Sequence, residues 1–214
     1  MRTPKGLPVT SDVKRLIIAL SGASGQIYGI RLLEVLRAAR QEGAADPPIE
    51  THLVLSEAAG ITITQETSYT PRQVEALADV VYRQRDIGAA IASGSFDTLG
   101  MVVAPCSIKT LSAIANCYSS DLLSRAADVQ LKEGRPLLLL VRETPLHLGH
   151  IRLMAQAVEA GAIIMPPVPA FYSRPQTVDD IVNGTVGRML ARLGIENALY
   201  YRWLGVGQAV SDTP

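Results

Sequence analysis

The chain reads as an α/β protein in which a doubly wound parallel sheet forms a single domain. Three observations predict it. Five apolar runs recur: RLIIAL from Arg15, THLVLS from Thr51, GMVVAPCS from Gly100, RPLLLLVRE from Arg135 and GAIIMPP from Gly161, with helical spacings between them. The runs are continuously apolar instead of alternating, as strands covered on both faces are. The 214 residues, 48% of them hydrophobic, suffice for one full core.

The first run opens the stretch RLIIALSGASGQIYGIRLLEVL, Arg15 to Leu36. A strand leads into a Ser/Gly-rich turn, after which Ile27, Ile30 and Leu33, with Leu32 and Leu36, recur at helical spacing. Free N–H groups at the positive end of a helix favour an anion. The turn Gly22-Ala23-Ser24-Gly25 lacks the G-x-G-x-x-G of dinucleotide sites, and no Walker loop follows it. The anion it suits is therefore the phosphate of a mononucleotide. A plain strand–helix turn that binds nothing is the alternative.

The second run leads into a helical EAAGITITQET. Ser68 to Gly100 is less periodic and reads as a short helix, a weak strand and a loop over the sheet edge. IKTLSAIAN and SSDLLSRAADVQLKE follow the third run, and HLGHIRLMAQAVEA the fourth. The last helix, TVDDIVNGTVGRMLARLG, opens on a Thr177 cap with Asp180 three residues on, and Gly194 ends it. The segment RQEGAADPPI reads as a surface insertion between helix and strand.

Formal charge is zero, which favours neither nucleic acid nor anionic membrane as a partner, and no apolar run reaches a membrane span. The opening MRTPKGLPVTSD lacks the apolar core of a signal peptide. The expected division is a flexible arm over 1–13, a folded domain over 14–204 and a tail over 205–214, in a cytoplasmic protein. The two cysteines form no C-x-x-C pair, so neither a disulfide framework nor a zinc site is expected. Cys117 reads as a small buried side chain, and Cys106 sits at a strand end. His147 and His150 can share a helix face, but acidic third ligands are missing; they read as surface residues at a helix start and not as a metal pair.

Ligands of doubly wound sheets bind beyond the carboxyl ends of the strands, at the switch point. The strand ends are Ser21–Gly25, Ser56, Pro105–Thr110, Arg142–Glu143 and Pro166–Tyr172. Ser107–Thr110 opens a helix and suits a phosphate by the same dipole argument, or is an ordinary Ser cap. Arg142 and Glu143, if extended, point to opposite sides.

The segments SGASGQIYG, HLVLSEAA, QET, SGSFDTLGMVVAPCSIKTLSAIAN, LLSRAADVQLKEGRPL, VRETPLHLGH, PPVPAFYSRPQTVDDIV and GRMLARLGI, in this order, resemble the flavin prenyltransferases of the UbiX type, FMN-containing homo-oligomeric flavoproteins. The resemblance implies a Rossmann-like, flavodoxin-type domain, usually assembled as a dodecamer. It implies an enzyme that joins the dimethylallyl group of dimethylallyl phosphate to N5 and C6 of reduced FMN. The prenylated FMN then serves a UbiD-type decarboxylase.

By resemblance, Gly22, Ala23, Ser24, Ser56, Ser107, Ile108, Lys109, Thr110 and Arg142 hold FMN. Arg125, Lys132, Tyr172 and Arg188 take the prenyl donor. Catalytic parts fall to Ser24, Glu66, Lys132, Glu143 and Trp203: the carboxylates move protons, and Tyr172 and Trp203 surround the allylic group. Arg125 and Lys132 are seven apart, two helical turns, on one face. No Asp-rich pair of the kind that holds Mg²⁺ against a pyrophosphate is present, so no metal is expected. The rivals are an FMN-dependent cysteine decarboxylase of the same fold and a non-catalytic, flavin-carrying decarboxylase subunit. The first would need a histidine early in the chain, where only His52 stands, inside a strand run.

Overall fold

The computed structural model describes residues 13–43, 48–203 and 205. Of the expected arm and tail, only Val13 and Gly205 are among them; of the expected insertion, residues 44–47 lie outside. The chain divides into two compact units, residues up to Pro167 and residues from Val168 on.

The first unit alternates strands and helices. Its elements are β1 (Lys14–Leu20), α1 (Gln26–Gln41), β2 (Ile49–Leu55), α2 (Glu57–Glu66), α3 (Pro71–Glu75) and β3 (Val80–Tyr82). They continue with β4 (Gly100–Cys106), α4 (Ile108–Ala115), α5 (Leu122–Lys132), β5 (Leu137–Val141), α6 (Leu148–Glu159) and β6 (Ile163–Ile164). The short helix and weak strand expected between Ser68 and Gly100 are α3 and β3, and a 3-10 turn at Ala90–Ala92 follows them. All ladders are parallel, in the order β3-β2-β1-β4-β5-β6. The reversal between β1 and β4 is the switch point of a doubly wound sheet.

The strand pleat divides the core in two. Ile17, Ala19, Val54, Met101, Val103, Leu137 and Leu139 cluster with Leu111, Ile114, Leu123, Ala126 and Ala157 of α4, α5 and α6. Leu16, Ile18, Leu20, Val102 and Ala104 alternate with them and are also fully buried. Both faces of these strands are therefore covered, which is why their sequences run apolar without a break. On the α1 side the approach is close: a Cβ at Gly29 would lie 2.2 Å from the Ala104 carbonyl oxygen and 2.8 Å from Leu20 Cγ.

His52 lies inside β2 and is 2% exposed. Its Nδ1 meets the Tyr82 hydroxyl at 2.9 Å and its Nε2 meets Glu50 at 2.8 Å. Burial lowers its pKa, with Glu50 acting against that shift. Both ring nitrogens are engaged within the fold, which argues against the early-histidine decarboxylase.

The second unit contains a 3-10 turn at Phe171–Ser173 and α7 (Val178–Arg192). Thr177 caps α7 in a capping box with Asp180, as the sequence predicts, and Gly194 follows the helix at φ 73°. Among the described residues no helix is long and apolar enough to cross a membrane.

The Gly29 contact yields a test. Gly29→Ala drives a methyl into backbone that cannot yield, and should cost about 3 kcal/mol in urea unfolding. Gly60→Ala, in α2, meets nothing nearer than Pro71 Cγ at 3.7 Å and should be neutral or stabilising by up to about 1 kcal/mol.

Candidate active site

The carboxyl ends of β1, β2, β4 and β5 each run straight into a turn or a helix start. After β1 come Ser21, the bend Gly22-Ala23-Ser24 and Gly25, the N-cap of α1 at φ 95°, a backbone conformation that glycine adopts without strain. After β2, Ser56 caps α2 by accepting the Ala59 N–H at 3.0 Å. After β4, Ser107 caps α4 by accepting the Thr110 N–H at 3.3 Å, and its hydroxyl donates to Thr110 Oγ1 at 3.1 Å. Arg142 and Glu143 follow β5, and Arg142 N–H donates to the Cys106 carbonyl at 3.1 Å.

These helix starts are not equivalent. Glu66, the last residue of α2, accepts the N–H groups of Gly25 at 2.8 Å and Gln26 at 3.2 Å through one oxygen. The N-terminus of α1, expected to meet a phosphate with free N–H groups, thus already holds a carboxylate of the same chain. At α2, the Glu57 N–H donates to Gln84 Oε1 at 3.0 Å. At α4, the N–H groups of Ile108 and Lys109 have no acceptor among the described residues. Lys109 carries its charge outward, with Nζ 3.7 Å from Asp121.

Arg142 is exposed at this edge and close enough to Tyr28, in the first turn of α1, for their electrostatics to couple. Burial pushes the Tyr28 hydroxyl above the ordinary phenol value, and the Arg142 charge works against that shift. Glu143 turns one oxygen to the Thr144 N–H at 3.0 Å and is otherwise exposed. Tyr28 was not singled out from the sequence, nor was Gln26, whose carboxamide nitrogen donates to the carbonyls of Ser21 and Ala23, each at 2.7 Å. Their position straight after the glycine turn was the available signal.

Two of the candidates for the second substrate, Arg125 and Lys132, follow on α5. Arg125, on α5, donates to Asp128 at 2.7 Å and to the Ala92 carbonyl at 3.3 Å. Lys132 ends α5 and pairs with its neighbour Glu133. Just beyond it, Arg135 donates to the Gly94 and Phe96 carbonyls, each at 2.8 Å, and the Met101 N–H donates to the Pro136 carbonyl at 2.8 Å. Those contacts put Lys132 at the amino edge of the sheet. Ser107 is a full strand away at the other edge, roughly 20 Å along β4, far beyond a lysine's reach. Within one protomer the structure does not bring Lys132 to the Ser107 loop.

In the second unit, Tyr172 packs against Tyr201 at a tilt and against Trp203 edge-on, with ring centroids 5.8 and 5.7 Å apart, and is half-exposed. The Arg188 guanidinium lies 5.4 Å from the centre of the Tyr200 ring.

Cys106 is fully buried, and burial pushes its thiol far above the ordinary range, so it is no nucleophile. Cys117 corrects an expectation: it is exposed, at φ 53° just past α4, where the chain leaves the helix before a side chain at that position can turn inward. His147 accepts the Gly149 N–H through Nδ1 at 3.0 Å, as the cap of α6, and stacks on His150. No group of three or more metal-ligating side chains occurs among the described residues.

An α/β sheet with an open helix start and an arginine at its switch point is a mononucleotide-binding architecture. Residues 6–190 match the family model described as Flavoprotein. The flavin prenyltransferase UbiX of Escherichia coli (strain K12) is 60% identical over 195 residues, covering 90% of this chain and all of that one. The crystal structure of AnUbiX (PadA1) in complex with FMN and dimethylallyl pyrophosphate is similar at TM-score 0.84 and 45% identity, over 90% of this chain and 98% of that one. A dodecameric FMN-dependent UbiX-like decarboxylase from Escherichia coli O157:H7 is similar at TM-score 0.84 and 46% identity, over 89% of this chain and all of that one. The chain belongs to the flavoprotein family and, within it, to the UbiX-type flavin prenyltransferases.

The thiols give a direct check on the site chemistry. At pH 8 the native protein should titrate one thiol per chain, Cys117, with a disulfide-exchange reagent, and both only after unfolding in urea. Two fast native thiols would contradict the buried, protonated Cys106.

Proposed function

We propose that the protein is a flavin prenyltransferase that joins the dimethylallyl group of dimethylallyl phosphate to N5 and C6 of reduced FMN. The observation that carries this reading is the unfilled N–H pair of Ile108 and Lys109 at the switch point, with Ser107 and Arg142 beside it, in a chain 60% identical to a named flavin prenyltransferase. The donor set suits FMN: N–H groups at a helix start and small hydroxyls take a phosphate dianion, and Arg142 takes an electron-rich ring edge. Gly22, Ala23, Ser24 and Ser56 line the approach from the neighbouring strand ends.

Reduced FMN, when bound, supplies the electron-rich nitrogen and carbon that accept the prenyl group. The chain's own residues do the rest. Cationic Arg188, Lys132 and Arg125 stabilise the donor's phosphate as its C–O bond breaks and the bonding pair leaves with it. Tyr172 and Trp203 present ring faces to the allylic group and exclude water from it. Glu143, exposed beside Arg142, accepts the proton that ring closure releases. Glu66 fixes the start of α1, so that Ser24 holds its place in the turn.

Lys132 stands too far from the Ser107 loop of its own protomer, so we infer that it serves the site of a neighbouring copy in a homo-oligomer. The dodecameric state of a solved relative supports that arrangement. The donor we infer is the monophosphate, since the one Asp-Asp pair of the sequence, Asp179-Asp180, opens α7, where Asp180 caps the helix, and no D-D-x-x-D run to hold Mg²⁺ against a pyrophosphate is present. A UbiD-type decarboxylase would receive the product, on the family resemblance alone. A reducing, cytoplasmic setting suits the free cysteines Cys106 and Cys117.

Anaerobic mixing with reduced FMN, dimethylallyl phosphate and a chelator should give a flavin heavier by one prenyl unit; unchanged flavin would refute the activity. Arg188→Ala should slow single-turnover prenylation by about a hundredfold to a thousandfold while FMN titration changes little. Collapse of FMN binding with fast residual prenylation would reverse that division of labour.

Sharing between copies has its own test. Mixed oligomers of Lys132→Ala and Arg142→Ala, each inactive alone, should regain activity as intact sites form from two parents. Mixtures as inactive as either parent would put both residues in one protomer's site.

A further inference from the structure

Ser21 has no part in the chemistry above, yet it joins the two loops on which that chemistry depends. It is 1% exposed. Its N–H donates to the Pro105 carbonyl at 3.1 Å, and its hydroxyl donates to the same oxygen at 2.9 Å. The hydroxyl oxygen in turn accepts the Ser107 N–H at 2.7 Å. Its carbonyl accepts Gln26 Nε2 at 2.7 Å, and the same nitrogen reaches the Ala23 carbonyl. Two carbonyls on one carboxamide nitrogen fix which way that side chain faces.

One hydroxyl thus ties the end of β1 to the cap of α4 as donor and acceptor at once. Alanine can do neither. The backbone bond from Ser21 to Pro105 survives the loss of the hydroxyl, so the strand ends stay paired. What is lost is the partner of the Ser107 N–H, a half-buried donor that then has no acceptor within the fold.

We infer that Ser21 is a positioning residue for the flavin phosphate: by engaging the Ser107 N–H it sets the angle of the α4 start and leaves the N–H groups of Ile108 and Lys109 aimed outward. This rests on the flavin-binding reading of the preceding subsection. Loss of a positioning serine separates two properties that loss of a merely structural one would not. Flavin affinity should fall, while the prenyl donor, held by Arg188 and its partners, should bind as before once flavin is saturating.

The test uses the full-length protein. Ser21→Ala is compared with Thr51→Val, which removes a buried hydroxyl bound to Asp79 at 3.0 Å in β2. FMN affinity is measured by flavin fluorescence, well below the unfolding midpoint of each variant, and KM for dimethylallyl phosphate is measured at saturating FMN. Ser21→Ala should bind FMN on the order of tenfold more weakly with unchanged donor KM, whereas Thr51→Val binds FMN like the wild type. Ser21→Cys, which keeps the volume and weakens both hydrogen bonds, should shift affinity in the same direction and covers the case that the alanine variant fails to fold. Wild-type FMN affinity in Ser21→Ala, or in Ser21→Cys if alanine does not fold, overturns the inference. A wild-type protein that binds no FMN overturns the flavin reading itself, and the inference with it.

Discussion

The central constraint is the placement of β1 between β2 and β4. Its residues pair with β2 from Lys14 to Leu20 and with β4 from Leu16 to Ala19. The winding reverses across β1, so the helices that follow β1 and β4 leave the sheet on opposite faces and open a crevice at its carboxyl edge. Close packing keeps that crevice in shape: Gly29 lets α1 lie on the β4 backbone, and Ser21 bonds the ends of the two strands. The loops on either side of the crevice therefore hold a fixed spacing, and a ligand meets preorganised donors instead of ordering them on arrival.

Hydrogen-bond capacity decides which part of the crevice can hold an anion. Every helix start offers N–H groups, and the fold fills most of those at this edge from within. Glu66 takes the Gly25 and Gln26 N–H groups at α1, Gln84 and Ser56 take those of Glu57 and Ala59 at α2, and His147 takes that of Gly149 at α6, so that among the described residues a single N–H is left over at each, against an adjacent pair at α4. The start of α4 keeps two donors open, beside Arg142. A positive helix end alone would not have told α1 from α4; occupancy of the donors does.

The sheet was legible because its strands are buried on both faces, and that leaves unbroken runs such as LLLLV of β5. The strand β3 was legible only as a weak one without bounds, since three residues at a sheet edge leave little pattern. The strand-end turns were legible by their serines and glycines. Glu66 could be marked as a carboxylate of interest, but its grip on α1 joins residues 41 apart, and no local pattern carries such a contact. Lys132 and Arg125 share a helix face as the spacing required, but spacing cannot say which edge of the sheet the end of the helix reaches. Cys117 misled for a related reason: a small apolar residue near a helical pattern looks buried until the helix is seen to stop before it. Ser21 and Gln26 passed as ordinary turn residues, because their importance lies in bonds to carbonyls that only the fold brings near.

The claim that α4 and not α1 receives the flavin phosphate is the one from which the rest of the site follows. A crystal structure of the protein with FMN bound tests it most directly. Phosphate oxygens should lie within hydrogen-bond distance of the Ile108 and Lys109 N–H groups, with Glu66 still accepting from Gly25 and Gln26. A phosphate seated on the Gly25 and Gln26 N–H groups, with Glu66 displaced, would contradict it.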